Sequence, residues 1–364
     1  MDVAPPSVTA RALDLRYCEV PLRRPIRTAN GTVAEAGLLL FDLRTDEGVT
    51  GQSYIFCYRR SAAAGIMAIA HDAAGICAGR ALEPQAASAL VARSFILIGL
   101  TGLVRMALSG LDMAIWDASA KLAGQSLARL IGAGPRRLRS YNSAGLCIAS
   151  VDTVGEEARE LTQSFAGVKV RLGYASAEED LEIVSAIRNA LPAGAAILAD
   201  YNQALDLPEA LKRCHILDQS GLAWIEEPLP HADWASYVRL ARTFATPIQL
   251  GENLHDGIEL RAGLEAGWKG PIMLDAARIG GVTGWLHATK NLPPTTRVSS
   301  HLFPEVSAHL LAVTPGADWH EHIDWAAPLL HEPLTAEAGH VIAPDRPGIG
   351  LLWDQAAVAR YRVH

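Results

Sequence analysis

Nowhere does the 364-residue chain run eighteen apolar residues together, so it has no candidate membrane-spanning helix. The nearest stretch, ALVARSFILIGLTGLV, is broken by Arg93 and Ser94 and followed by Arg105. Blocks of like charge are missing too. With 32 Lys+Arg against 39 Asp+Glu the net charge is −7, which argues against a nucleic-acid or membrane-surface partner. There is no CxxC pair: the five cysteines (Cys18, Cys57, Cys77, Cys147, Cys214) are dispersed and read as free thiols in a reducing compartment. The opening MDVAPPSVTARALDLRY lacks the apolar stretch of a secretory signal, and the expected location is cytoplasmic. No GxGxxG or GxxxxGK[ST] follows an apolar run, which disfavours dinucleotide and P-loop chemistry.

What is present falls into two rhythms. In the first, RALDLRYCEV, AGLLLFDLRT and VTGQSYIF read as strands. The polar RRPIRTANGTV between the first two reads as a mobile loop. Residues 60–133 are Ala- and Leu-rich, and LVRMALSGLDMAIWDASAKLAG has the three- and four-residue apolar steps of a long buried helix. This β-then-α block suggests an α+β domain over 1–133. From about residue 139 short apolar runs alternate with helical patterns: SYNSAGLCI, GVKVRL, AAILADY, LAWIEE, PIQLGE, PIMLDAA and TRVSSH. Ser176 with Glu179, Asp206 with Pro208, Asp233 and Asp256 are placed to open the intervening helices. About seven βα units over 134–325 favour a closed α/β barrel over an open sheet. The tail, 326–364, is expected to return onto the first domain.

The runs end in chemistry. Asp200, Glu226 and Glu252 close three of them at spacings of 26 and 26 residues, and Asp275 and His301 close the next two. C-terminal strand ends of a barrel meet at one mouth. Carboxylates gathered there repel unless a cation compensates them, and oxygen donors without Cys or His suit Mg²⁺ rather than Zn²⁺. Asp275 beside His301 is the pattern of an oriented general base. Lys169 and Arg171, two apart on one strand, point the same way and could contact an anionic substrate. Glu321, in ADWHEHIDW, reads either as a neutral donor to a developing oxyanion, its pKa raised, or as a surface acid.

Taken in order, RPIRTANGTV, GQSYIF, TGLVRMALSGLDMAIWDA, VKVRLGY, LADYNQALD, WIEEPL, QLGEN, LDAARIGGVTGW and SSHLFPEVSAHLLAVTP resemble the enolase superfamily, in its mandelate racemase subgroup, over almost the whole chain. The resemblance implies a modified TIM barrel, (β/α)₇β, under an N-terminal α+β capping domain. It implies Mg²⁺ on Asp200, Glu226 and Glu252, with Asn202 and Glu227 either behind those ligands or in contact with the substrate. Lys169 matches a contact to the substrate carboxylate and Ser143 a serine on the carboxylate's other side. His301 with Asp275 matches a base on one face of the substrate, and Glu321 a donor to the enolate oxygen. Ile26, Val33, Phe56 and Tyr58 match residues covering the substrate's apolar end. A homo-oligomer is implied by resemblance alone.

Two positions depart from the pattern. Arg171 stands where a two-base racemase has the second lysine of KxK, and a guanidinium does not ordinarily give up its proton. Asn30 stands where an aliphatic wall residue is expected. The expected activity is racemisation or epimerisation of a 2-hydroxycarboxylate through an enediolate. The alternatives are acid-sugar dehydration, with His301 as base and then acid, and a catalytically impaired carboxylate binder.

Overall fold

Alternating apolar residues in the first sixty positions build an antiparallel sheet, and the computed structural model, which describes residues 4–28 and 31–363, shows its order. Strands β1 (Val8–Thr28), β2 (Gly31–Thr45) and β3 (Thr50–Phe56) form a meander. Beyond α1 (Arg60–Cys77), the two-residue β4 (Ala81–Leu82) joins the far edge of β1. The described residues of the stretch expected as a loop, 23–28 and 31–33, are strand instead. After a register shift between Pro21 and Ile26, the ladder resumes at Ile26 opposite Val33 and runs to Thr28 opposite Gly31. Ile26, 3% exposed, gives that end of the hairpin an apolar face to bury.

Helices α2 (Pro84–Phe95) and α3 (Gly102–Leu122) complete the cap. Every residue of α3 from Met106 to Ala120 is buried, because the helix lies between the cap sheet and the barrel. Its approach to the sheet is close enough to require glycine: a Cβ on Gly51 would sit 1.9 Å from the Ala114 carbonyl oxygen, and one on Gly110 would meet the Phe41 ring at 2.5 Å. On its other face Trp116 Nε1 donates to Thr283 Oγ1 (2.9 Å), and Asp112 Oδ2 accepts from the Thr283 backbone N–H (3.0 Å).

Burial without a paired cation raises Asp112 from 3.8 to about 7. The folded state thus prefers the neutral acid, and stability falls as pH rises from about 4 to about 7. Above pH 7 the cost is about 4 kcal/mol. Asp112→Asn keeps an acceptor for Thr283 and removes the charge. Its melting temperature is expected to exceed that of the parent protein at pH 8, with the gap closing as pH falls toward 4.

After the short α4 (Leu127–Leu130) the barrel begins. Its strands and helices alternate as β5 (Arg137–Asn142), α5 (Val151–Thr162), β6 (Gly167–Arg171), α6 (Ala177–Ala190), β7 (Ala196–Asp200), α7 (Leu207–Leu217), β8 (Trp224–Glu226), α8 (Trp234–Thr243), β9 (Ile248–Gln249) and α9 (Gly257–Glu265). There follow β10 (Ile272–Asp275), α10 (Ala276–Ile279), α11 (Gly281–Thr289), β11 (Val298–His301), α12 (Pro304–Val313) and β12 (His320–His322). Ser176, Asp206, Asp233 and Asp256 cap α6, α7, α8 and α9 through their side chains.

Parallel ladders link β12, β5, β6, β7, β8 and β9, and β10 pairs with β11. Bridges at Leu250–Ile272 and Val298–Ala317 close the ring. This is the (β/α)₇β barrel under an α+β cap that the rhythm suggested. Tyr141, Leu198, Trp224, Met273 and Trp319 fill the interior as a floor. Two residues on from four of them, on the same strand faces, come Asp200, Glu226, Asp275 and Glu321.

The last segment returns along the molecule. β13 (His340–Ile342) pairs antiparallel with β5, and α13 (Gln355–Tyr361) packs on β1. Trp353 Nε1 donates to Asp42 Oδ1 (3.0 Å) in the cap. All five cysteines are free and buried. Among the described residues no helix is long and apolar enough to cross a membrane.

Candidate active site

Where the barrel mouth meets the cap hairpin, the side chains enclose a cavity of about 640 Å³. From the barrel come Ser143, Lys169, Arg171, Asp200, Asn202, Glu252, His301 and Glu321; from the cap come Ile26, Val33, Phe56 and Tyr58. Asn30 lies outside the described residues.

Lys169 is 2% exposed. Its Nζ lies 3.2 Å from Asp200 Oδ2, 3.1 Å from Glu226 Oε1 and 2.8 Å from Glu321 Oε1. Burial alone would favour a neutral amine, but Glu226, Glu321 and Asp200 together hold it protonated, far above the ordinary lysine range. Asp200 is fixed from its other side by Asn202, whose backbone N–H and side-chain amide donate at 2.7 and 2.9 Å. Glu226 Oε2 accepts from Trp224 Nε1 (3.1 Å).

The register explains which carboxylates meet. Arg171 lies opposite Asp200, and Asp200 opposite Glu226. Opposite Glu226, however, stands Gln249, not Glu252. The strand stops there because Gly251 takes φ +127°, with Met273 O only 2.6 Å from where a Cβ would stand. Glu252 therefore sits three residues past its strand, and its Oε2 turns to His301 Nε2 (3.2 Å). The expected convergence of Asp200, Glu226 and Glu252 is thus partial. Two share Lys169, and the third is held by the imidazole. The one His/Asp/Glu trio among the described residues whose donor atoms all lie within 4.8 Å is elsewhere, at His231, His255 and Glu259.

The mouth is nonetheless rich in negative charge. Burial, with Asp200, Glu252 and Glu321 adding to it against Lys169, pushes the Glu226 carboxyl up to about 8. Glu227 is also raised, by burial and then by Glu252, Asp200 and Glu226. Buried hard oxygens whose charges oppose one another in this way fit a hard divalent cation.

Asp275 and His301 are register partners on β10 and β11. Asp275 Oδ1 caps α10, accepting from the N–H groups of Ala277 (2.7 Å) and Arg278 (3.0 Å), while Oδ2 lies 2.7 Å from His301 Nδ1. A carboxylate oxygen accepts there, so Nδ1 carries a proton, and Nε2 faces the cavity beside Glu252 Oε2. Burial disfavours a charged ring, but Glu252, Glu321 and Asp275 outweigh it and raise His301 to about 9.

Glu321 is fully buried on β12, which removes the surface-acid reading. Nor is it a neutral acid in this arrangement. Burial works upward, but Lys169, His301 and the Leu302 N–H (2.7 Å to Oε2) hold the carboxyl well below its usual range.

Arg171, 5% exposed, spends its guanidinium on neutral oxygens. Nη1 donates to the carbonyls of Gly145 (2.9 Å) and Ser143 (3.3 Å), and Nη2 to the Ser143 carbonyl (3.2 Å) and hydroxyl (3.3 Å). Among the described residues no carboxylate pairs with it.

The cap supplies an apolar wall. The Phe56 ring lies 4.3 Å from that of Tyr58 and 4.7 Å from that of Trp325. Trp325 and Arg278 are site residues that sequence reasoning missed. Arg278 donates to Tyr58 Oη (2.8 Å) and to Asn253 Oδ1. The available signal was position: Arg278 follows Asp275 by one helical turn, on the strand-to-helix turn that aims the base.

Two family models match the chain: "Mandelate racemase / muconate lactonizing enzyme, N-terminal domain" over residues 12–132, and "Enolase C-terminal domain-like" over residues 153–357. An enolase from alpha proteobacterium bal199, crystallised with bound magnesium, is 37% identical with a TM-score of 0.95, covering 98% of this chain and 100% of that one. An enolase from Bradyrhizobium, complexed with magnesium and mandelic acid, is 35% identical with a TM-score of 0.93, covering 98% and 99%. The L-talarate/galactarate dehydratase of Salmonella typhimurium is 29% identical over 352 residues, 93% of this chain and 87% of that protein.

Proposed function

Since the chain belongs to the mandelate racemase/muconate lactonizing enzyme family of the enolase superfamily, we propose that it removes the α-proton of a 2-hydroxycarboxylate, with His301 as base and Mg²⁺ held by Asp200, Glu226 and Glu252. Bound there, the ion supplies Lewis-acid stabilisation of negative charge developing on the substrate carboxylate.

The protein's own groups do the rest. Asp275 holds the His301 ring with Nε2 toward the cavity, where it takes the proton. Lys169 pairs with the substrate carboxylate, and Ser143, its oxygen already accepting from Arg171, donates its own hydroxyl proton there. Once Lys169 is drawn to the substrate, Glu321 loses its main counter-charge. Burial then favours the protonated carboxyl, which can donate to the enediolate oxygen. These groups bind the dianionic enediolate more tightly than the substrate, and that difference lowers the barrier.

The observation that supports one outcome over the other is Arg171. Its four side-chain hydrogen bonds are donations to neutral oxygens, with no base among the described residues placed to take its proton, so on this reading it serves as an anion-binding group and not as a second base. Proton traffic then runs on the His301 face alone, which supports dehydration. The α C–H bond breaks, the proton passes through His301 to the β-hydroxyl, the C–O bond breaks, water leaves, and the enol becomes a 2-keto-3-deoxy acid. A dehydratase among the relatives agrees with this reading.

One observation favours the racemase reading instead. The wall of Ile26, Val33, Phe56 and Trp325 is apolar, and the Bradyrhizobium relative was crystallised with mandelic acid. Semicarbazide detection of a keto product across a panel of sugar acids and aryl 2-hydroxy acids separates the two. On the one-base reading the α-carbon exchanges with D₂O at least about 100-fold faster than it inverts, and Arg171→Lys, which introduces an amine able to lose its proton, brings inversion up. Inversion as fast as exchange in the unmodified protein would overturn that reading.

A further inference from the structure

From two successive loops at the barrel mouth and the helix that follows them, outside the cavity just described, we infer a second metal site: His231, His255 and Glu259 form a three-ligand site for a borderline transition cation, Zn²⁺ or its like. His231 follows β8, His255 follows β9, and Glu259 lies in the first turn of α9. All three are partly buried, with side chains 29%, 28% and 26% exposed, so solvent can fill a remaining coordination position.

The spacing is already that of ligands. His255 Nδ1 is 3.2 Å from Glu259 Oε2, and His231 Nε2 is 3.9 Å from Glu259 Oε1. Bonds of about 2.0–2.1 Å in a tetrahedral site put neighbouring donors roughly 3.3–3.4 Å apart. The three residues offer donor atoms that all lie within 4.8 Å of one another, so a shift on the order of 1 Å completes the set. Two imidazoles, one carboxylate and an open position make a zinc donor set, whereas Mg²⁺ prefers oxygen throughout.

A second observation orients the ligand. The backbone N–H of His231 donates to Gln203 Oε1 (2.9 Å), which identifies that atom as the oxygen. His231 Nδ1 lies 3.4 Å from the same oxygen, so Nδ1 carries the proton and the Nε2 lone pair faces Glu259. This is the outer contact that metal-bound histidines ordinarily make. A bound cation would tie the β8 and β9 loops together and fix Gln203, which lines the cavity.

The test is Zn²⁺ titration of the full, EDTA-stripped chain in saturating Mg²⁺, followed by calorimetry and metal analysis. The parent protein is expected to bind one more Zn²⁺ than His231→Gln or Glu259→Gln, or to bind it at least about 100-fold more tightly. Zn²⁺ should raise the melting temperature of the parent and not that of the variants. Both variants should match the parent's far-ultraviolet dichroism and melting in EDTA; two substitutions guard against either one misfolding. Glu226→Gln should keep the extra Zn²⁺, which separates this site from the Mg²⁺ reading. Equal Zn²⁺ uptake and affinity in parent and variants, or loss of the extra ion in Glu226→Gln alone, overturns the inference.

Discussion

Exchange of the substrate α-proton with solvent is expected to fall by roughly 10²–10⁴-fold in His301→Asn, the range that a positioned base contributes, without loss of the fold. Asparagine can still donate to Asp275 Oδ2, which His301 Nδ1 now contacts at 2.7 Å, so the carboxylate keeps a partner. What disappears is the lone pair on Nε2. The pH profile should change with it. His301 acts as a base only when neutral, and Glu252, Glu321 and Asp275 raise it, against burial, to about 9. The acidic limb of the rate profile therefore lies high when Glu252 is uncompensated. It should move to lower pH as Mg²⁺ rises, because charge shared with the ion no longer holds the imidazolium. Rate measurements from pH 6 to 10 at two Mg²⁺ concentrations read this directly. A limb that ignores Mg²⁺, or a His301→Asn protein that exchanges the α-proton normally, counts against the assignment.

The second large effect is on stability. Lys169→Met is expected to destabilise the metal-free protein by roughly 3–5 kcal/mol, the cost of removing one partner from a buried charge network. The ammonium is the shared counter-charge of Asp200, Glu226 and Glu321, and methionine fills a similar volume without compensating them. The sign with pH follows. With Lys169 gone the buried Glu226 carboxyl, already raised to about 8 against the lysine's pull, titrates higher still in the folded state, so the variant loses stability as pH rises and regains it as that carboxyl is protonated. Mg²⁺ should restore more stability to the variant than to the parent, since it meets a larger excess of negative charge. Urea denaturation in EDTA and in Mg²⁺, at pH 5 and pH 8, gives the four values required. Equal stabilities of variant and parent in EDTA at pH 8 would show that the network holds nothing together.

Much of this was legible in the sequence because barrel geometry is periodic. A βα unit of about 26 residues carried Asp200, Glu226, Asp275 and His301 to strand ends, and the structure puts all four there. What escaped depended on backbone detail or on contacts between unrelated segments. Periodicity put Glu252 in line with Glu226; the left-handed turn at Gly251 ends β9 early and hands the carboxylate to His301 instead. Glu321 could not be told from a surface acid because its strand is three residues long and its partner, Lys169, is distant in sequence. Polar composition hid the strand pairing of the cap hairpin, in which Ile26 is buried. His231 and His255 share no motif; only the adjacency of two loops brings them to Glu259.

The most direct measurement is α-carbon deuterium incorporation in D₂O over a panel of 2-hydroxy and sugar acids, with Mg²⁺ and again after EDTA. At least one acid should exchange in Mg²⁺, stop when the metal is stripped, and resume when Mg²⁺ is returned. Exchange that continues undiminished in EDTA, or a full panel without exchange from a folded, Mg²⁺-loaded protein, would contradict the proposed chemistry.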